Sequence, residues 1–285
     1  MINLDQIKSY NDKGYLVVEN AIPQDKLKEL QRVTDEYVAN SRDVVSNDEV
    51  YDLADDHSSS NPNLRRLKNP HLLHKVYENI TTDSCILDIV EKIVGNNIRR
   101  DHTKLNFKGA RGGESIEWHQ DWAFYPHTND DLVTVGIYLD DCTEKNGPLK
   151  IIKNSHTKKL YSHHSNENFF VGKIDTSKNK IGVDSSISIT GTAGTVVFFH
   201  CRSVHGSGSN QMKSSRPLIL FGYRACDAWP LINDGNPHPE VNLDNYNQNI
   251  IVGKKSLKPR LTKVQTIIPL PKKKHYVSIY ELQKK

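Results

Sequence analysis

The 285-residue sequence has little of several things, and each shortage removes a class of function. Its four cysteines, Cys85, Cys142, Cys201 and Cys226, are scattered with no CxxC pair, which excludes a zinc ribbon or a thioredoxin-like centre and leaves buried free thiols. No apolar run approaches the roughly 18 residues of a membrane-spanning helix, so no membrane partner is expected. The opening MINLDQIKSY lacks the basic end and apolar block of a secretion signal, and a cytoplasmic protein is expected. The net charge is only +4 and lies partly in C-terminal lysines such as Lys272 to Lys274, so no nucleic-acid partner is expected either. No internal repeat is visible.

What is present reads in two textures. Up to Gly95 the chain is mainly helical. Leu4 to Lys13 is amphipathic, YLVVEN is a short strand-like run, and Leu27, Leu30, Val33, Tyr37 and Val38 recur at helical spacing after Pro23. DDHSSSNPN at 55–63 reads as a loop, and LLHKVYENI and SCILDIVEKIVG as two further helices, the second closed by Gly95 as its C-cap. Beyond Gly95, NIRRDHTKLNF, DLVTVGIYLDD, SISIT, GTVVFFH and RPLILFGYRA are β-branched or aromatic runs bounded by Gly, Pro and Asp. Strands separated by turns and long loops, without regularly alternating helices, predict an antiparallel sandwich or barrel. The organisation expected is one domain over 1–285: helical support over 1–95, a β core over 96–228, and an extension over 229–285 that packs on it. Within the extension, TIIPLP and KKKHYVSIYEL can add an edge strand or cover the core.

The chemistry concentrates in EWHQDWAFYPH, Glu117 to His127. On an extended strand His119 and Asp121 point to the same face and can share a metal ion, with Gln120 turned away between them. A His-x-Asp alone is weak. Far downstream, GTVVFFHCRSVHGSGSN carries His205 beyond a strand, and Arg216 opens the next strand eleven residues later. Two histidines and a carboxylate on a β scaffold make the facial triad that holds non-haem Fe(II) by one face. Arg216 offers a planar, always-charged fork to the far carboxylate of a diacid on that metal. His200 is the rival third ligand, but reads as a packed strand-end histidine. His163 and His164, in YSHHSNEN, read as solvated, and Trp118, Trp122 and Phe124 as packing.

These motifs taken in order, DKGYLVVENAIP, LNFK, WHQDW, NGPLKIIKNSH, VVFFHCRSVHGSGSN and the Arg216 strand, resemble the phytanoyl-CoA dioxygenase family of iron(II) and 2-oxoglutarate dependent oxygenases over most of residues 1–225. The resemblance implies a double-stranded β-helix (jelly roll, cupin-like) core that is mainly β with flanking α-helices. It implies Fe(II), 2-oxoglutarate and O2, with His119, Asp121 and His205 as iron ligands and Arg216 on the oxoglutarate C5 carboxylate. Ser207 matches a family position bonded to that carboxylate, and Asn106 one that binds the cosubstrate in ectoine hydroxylases. Ile137 stands where a phytanoyl-CoA oxidising member carries a tryptophan beside its cosubstrate, which implies a roomier pocket. Asp121 favours hydroxylation, desaturation or ring closure over halogenation, since halogenating members replace this carboxylate by a small residue.

The substrate expected is a small anionic or zwitterionic metabolite oxidised at a C–H bond, with succinate and CO2 as coproducts. Lys104, Tyr125, His127 and Arg224 are its candidate contacts, and the protein is expected to act as a monomer or homodimer. The alternatives are a non-catalytic jelly-roll protein that binds oxoglutarate as a sensor or interaction module, and a metal enzyme of another class; Arg216 has no obvious work in the latter.

Overall fold

Alternation of apolar and polar residues along the later strands decides the architecture, because each strand must turn one face to helices and the other to a pocket. The computed structural model describes residues 4–110, 115–232, 248–272 and 278–283. Helix α1 (Leu4–Lys13) ends at Gly14, whose φ of +82 releases the chain into β1 (Tyr15–Val18). Helix α2 (Gln24–Asn40) buries Leu27, Leu30 and Val33, the positions that recur at helical spacing. Two strands follow, β2 (Tyr51–Leu53) and β3 (Leu64–Lys68), then helices α3 (Pro70–Leu73), α4 (Lys75–Thr81) and α5 (Ser84–Val94). The side chain of Asp83 caps α5 by accepting from the Cys85 amide, and Gly95, at φ +94, closes it.

The remaining strands are β4 (Ile98–Lys108), β5 (Ile116–His119), β6 (Leu132–Tyr138), β7 (Leu149–Ile151), β8 (Ile187–Ile189), β9 (Val196–His200), β10 (His205–Ser207), β11 (Arg216–Ala225) and β12 (Ile250–Val252). They form two antiparallel sheets. The larger runs β1-β9-β6-β11-β4-β3-β2, with β12 also on β4, and the smaller runs β5-β10-β7-β8. Facing each other with no regular βαβ crossovers, they make a jelly-roll core with flanking helices, as the strand pattern predicts.

The outer face of the larger sheet carries Leu105, Val133, Val135, Ile137, Val196, Phe198, Ile219 and Phe221, packed into one cluster with the helices. Each such side chain contributes about 1.5–3 kcal/mol on burial. On the inner face, Tyr138, Val197, Phe199, Leu218 and Leu220 meet Leu149, Ile151 and Ile189 of the smaller sheet. Toward the other end the inner face turns polar, and the candidate site lies there.

The structure departs from the sequence reading in three places. The N-terminal part is less helical than expected: β2 and β3 extend the larger sheet, with 55–63 as the loop between them. Ile137 lies in the helix-facing cluster, so it is not a pocket position; its neighbours Gly136 and Tyr138 face inward instead. In the extension, the paired strand is β12 and not either of the two segments singled out; TIIPLP is irregular and helix α6 (Ile279–Gln283) forms within KKKHYVSIYEL, and both cover the core, the other of the two readings, with Ile267 and Leu282 packed against the Trp122 cluster. Residues 273–277 lie outside the described residues.

Candidate active site

His119 ends β5 directly opposite His205, which starts β10. This register puts both imidazoles on one face, ring centroids 4.1 Å apart. Asp121 reaches them by a route the sequence pattern did not show: the strand stops at His119, and Asp121 opens a 3-10 turn (Asp121–Ala123) that folds it back. Its Oδ1 stands 3.7 Å from His119 Nε2 and 3.6 Å from His205 Nε2. One donor atom from each of the three lies within 4.8 Å of the others, and among the described residues no other group of three or more His, Cys, Asp or Glu is so placed.

The surroundings aim these atoms. The Nδ1 of His119 lies 2.8 Å from the Glu117 carbonyl and that of His205 2.9 Å from the Ser203 carbonyl. A carbonyl only accepts, so each Nδ1 carries the proton and each Nε2 presents its lone pair. Asp121 Oδ2 accepts from Thr134 Oγ1 at 2.8 Å, leaving Oδ1 toward the histidines. Such neighbours typically orient metal ligands. Gln120 faces away but is fully buried: its amide donates to the Arg202 carbonyl and its Oε1 accepts from the Tyr161 amide, pinning the turn to two loops.

Burial pushes His119 well below the ordinary imidazole value, and nearby His205 pushes the same way. Burial alone would raise Asp121, but His205, His119, Lys104 and the Thr134 bond outweigh it and hold the carboxyl below the usual range. Neutral imidazole beside an ionised carboxylate is the donor set that suits a divalent first-row metal such as Fe(II).

Arg216 opens β11 and is buried. Its Nε donates to the Asn146 carbonyl at 3.1 Å and its Nη2 to the Gly147 carbonyl at 2.8 Å, while Nη1, also buried, has no hydrogen-bond partner among the described residues. A buried guanidinium with a spare N–H and, among the described residues, no carboxylate within ion-pair distance is costly unless an anion completes it, which fits a dicarboxylate. Ser207 follows His205 by two on β10, half-buried, its hydroxyl unbonded among the described residues. Asn106 sits opposite Leu218 and accepts from Arg66 Nε at 3.3 Å.

Lys104 points to the same face as Asn106 and makes no hydrogen bond or ion pair among the described residues. Burial lowers its ammonium below the ordinary value, against the pull of Asp121. Tyr125 is half-buried and lies 6.0 Å from the Arg224 guanidinium. His127 and Arg224 are 2% and 1% exposed and are engaged with each other, the His127 ring facing Arg224 Nη1, while Arg224 also pairs with Asp101.

His200 is apart from the triad, 3.9 Å from Asp130 and accepting from the Arg202 amide, as the packed reading has it. His163 corrects the solvated reading: it is 1% exposed, its Nε2 accepts from the Gln120 amide at 2.9 Å, and burial holds it down at about 4. Neighbouring His164 is only partly covered, its ring 5.5 Å from Phe170. Trp122 is packing, as expected, but Phe124 sets its ring edge-on to His119 at 5.7 Å. Thr134, Arg66 and the adjacent pair Asp101–His102 escaped sequence reasoning. The strand alternation of DLVTVGIYLDD places Thr134 on the inner face, a usable signal; nothing in the sequence marks the others.

Comparison with known proteins agrees. The family model for Phytanoyl-CoA dioxygenase (PhyH) matches residues 10–218. A Stutzerimonas stutzeri protein described as a probable alpha-ketoglutarate-dependent hypophosphite dioxygenase is 34% identical over 283 residues, covering 98% of this chain and 96% of that protein. An ectoine dioxygenase from Bordetella bronchiseptica is 25% identical over 265 residues, 84% of this chain and 81% of its own. Among solved structures, EctD from S. alaskensis with 2-oxoglutarate and 5-hydroxyectoine superposes with a TM-score of 0.70 at 20% identity, covering 94% of this chain and 89% of that one, which shows a shared fold.

Proposed function

The chain belongs to the phytanoyl-CoA dioxygenase family, and from that premise we propose that it is an iron(II) and 2-oxoglutarate dependent oxygenase, one domain over 1–285, acting on a small anion in the cytoplasm. The observation that carries the reading is the convergence of His119, Asp121 and His205, with two Nε2 lone pairs and one carboxylate oxygen turned to a common point. These three hold the iron. Arg216 Nη1 completes its hydrogen bonding on the oxoglutarate C5 carboxylate, with Ser207 and Asn106 beside it.

When bound, iron, oxoglutarate and O2 supply the oxidising power: one oxygen atom ends in succinate, CO2 leaves, and the other oxygen is available to the substrate. The chain's own residues do the rest. Thr134 fixes the carboxylate, the Glu117 and Ser203 carbonyls fix the imidazoles, and the apolar inner core excludes water from one side. With Asp121 occupying its ligand position, hydroxylation is favoured over halogenation.

Two substrates deserve direct trial. A C–H bond of a zwitterionic metabolite follows the hydroxylating relatives, whereas a P–H bond of hypophosphite follows the relative that is similar along nearly its whole length. The inner wall favours the second, because Arg66 and Lys104 line it with positive charge suited to a compact oxyanion. The test is to incubate anaerobically purified protein with Fe(II), oxoglutarate, ascorbate and O2, with and without hypophosphite, and to follow succinate and phosphite. Hypophosphite-stimulated succinate with phosphite formation is the expected result. No succinate and no oxoglutarate-induced charge-transfer band would overturn the oxygenase reading; succinate without phosphite would overturn only the substrate.

A further inference from the structure

Between β4 and β11 the ladder slips. Thr103 faces Phe221 and Arg100 faces Tyr223, so Gly222 alone stands against two residues, Asp101 and His102. Such a bulge breaks the alternation and sends adjacent side chains to one face. Gly222 shows which face: a Cβ built there, pointing inward like those of Leu220 and Arg224, would stand 3.1 Å from Asp101 Cβ and 3.3 Å from His102 Cε1. Both side chains therefore turn into the pocket wall, in space that the glycine leaves open.

This pair is held from behind. His127 Nδ1 is fixed on the Tyr125 carbonyl at 2.8 Å, its ring faces Arg224, Arg224 pairs with Asp101, and Asp101 Oδ2 accepts from His102 Nδ1 at 2.6 Å. His127, Arg224 and Asp101 are all buried, whereas the His102 side chain is 26% exposed and its Nε2 has no partner among the described residues. The line of support thus ends at one open imidazole nitrogen. In front of it, the Tyr125 ring lies 5.6 Å from the His102 ring. Gly222 is paired with Thr134 on its other side, and Thr134 holds Asp121. Two strand spacings of about 4.8 Å put His102 roughly 10 Å from Thr134 along the sheet, the span of a small molecule seated beside the metal site.

We propose that His102 is the substrate-orienting residue of this enzyme: anchored through Asp101, Arg224 and His127, and paired with the Asp101 carboxylate as an imidazolium, it donates Nε2–H to the polar head of a small oxyanion, with Lys104, two residues on, supplying charge. The proposal rests on the oxygenase reading above. It moves the recognition role from Arg224 and His127, which act behind the wall, to a residue that touches substrate. A fixed ring costs little entropy on binding, which is why an imidazole held at Nδ1 makes a better orienting group than a free one.

Asparagine and glutamine separate the two ring nitrogens. His102→Asn can still donate to Asp101 but loses Nε2; His102→Gln reaches further and can replace Nε2. Hypophosphite is the first probe, with L-proline and ectoine beside it, and the readouts are the substrate KM, kcat, the ratio of product to succinate, half-saturating oxoglutarate and the oxoglutarate-induced charge-transfer band. His102→Ala and His102→Asn are expected to raise the KM of the stimulating substrate about tenfold or more and to lower the product to succinate ratio, with oxoglutarate saturation and the band unchanged. His102→Gln should recover part of the KM. Full recovery in His102→Asn, or an unchanged KM in His102→Ala, would show a purely structural role and overturn the proposal, as would a panel in which no anion stimulates succinate. Wild-type protein that makes no succinate and shows no band would instead remove the oxygenase reading.

Discussion

The two faces of the larger sheet come from the same strands, one residue out of phase, and at the end that holds the site they share almost no chemistry. Along β4, Leu105 and Phe107 go outward to the helices while Lys104, Asn106 and Lys108 go inward; along β6, Val133, Val135 and Ile137 go outward while Thr134 goes inward. Outward, packing holds the fold. Inward, buried polar groups sit at a cost to stability, and that cost is explicable only by what they bind. Substitution on the two faces should therefore separate stability from activity.

The sharpest contrast lies in the triad. His205→Ala and Asp121→Ala are expected to bring oxoglutarate-dependent succinate formation down to background while leaving the thermal midpoint of metal-free protein within a few degrees of wild type; a large fall in midpoint would break the contrast. On the outer face, Phe221→Ala should cost about 3–5 kcal/mol in urea unfolding, and the fraction that stays folded should retain the wild-type KM for oxoglutarate.

Arg216→Ala should raise half-saturating oxoglutarate by about 10- to 100-fold, and Arg216→Lys should recover only part of that, since an ammonium cannot keep the bonds to the Asn146 and Gly147 carbonyls and also face a carboxylate as a fork. Thr134→Val keeps the shape and removes the hydroxyl, so Fe(II) affinity should fall about tenfold, measured by metal titration of succinate formation.

The smallest effect belongs to His71 of α3, on the helix side, bonded to Thr103 Oγ1 at 2.5 Å and held down at about 4 by burial, with Arg100 adding to it. The unfolded histidine titrates near 6.5, so between about 6.5 and 4 the unfolded chain binds more protons. Stability should fall as pH drops through that window and be flat with respect to this group above it. His71→Gln should lessen the slope of thermal midpoint against pH.

Where the sequence was legible follows from the range of the interactions involved. Alternating strands, the amphipathic α2 and the Gly95 cap depend on neighbours within a turn or two, and the triad declares itself through residue type in family order. The rest depends on contacts distant in sequence. His163 lies in a polar segment, yet the Gln120 amide buries it. Ile137 is the exception: the alternation that turns Thr134 inward turns Ile137 outward, so its phase was legible and the family resemblance overrode it. Nothing local marks the slip that turns Asp101 and His102 to one side, because a bulge is a property of two strands together. Arg224 looked like a free cation because Asp101, more than a hundred positions earlier, is invisible from RPLILFGYRA.

The bond between Thr134 and Asp121 carries a further consequence. Asp121 hangs from the turn that leaves the smaller sheet, and Thr134 belongs to the larger, so a single hydroxyl ties the carboxylate ligand to the opposite wall while both histidines stay on their own. The site is built like a calliper, with two points fixed on one jaw and the third steadied by the other. Any event that changes the gap between the jaws, whether pressure, a bulky ligand or a distant core substitution, is transmitted to the carboxylate before the imidazoles. The electronic spectrum of a bound metal would thus serve as a ruler for the distance between the two sheets.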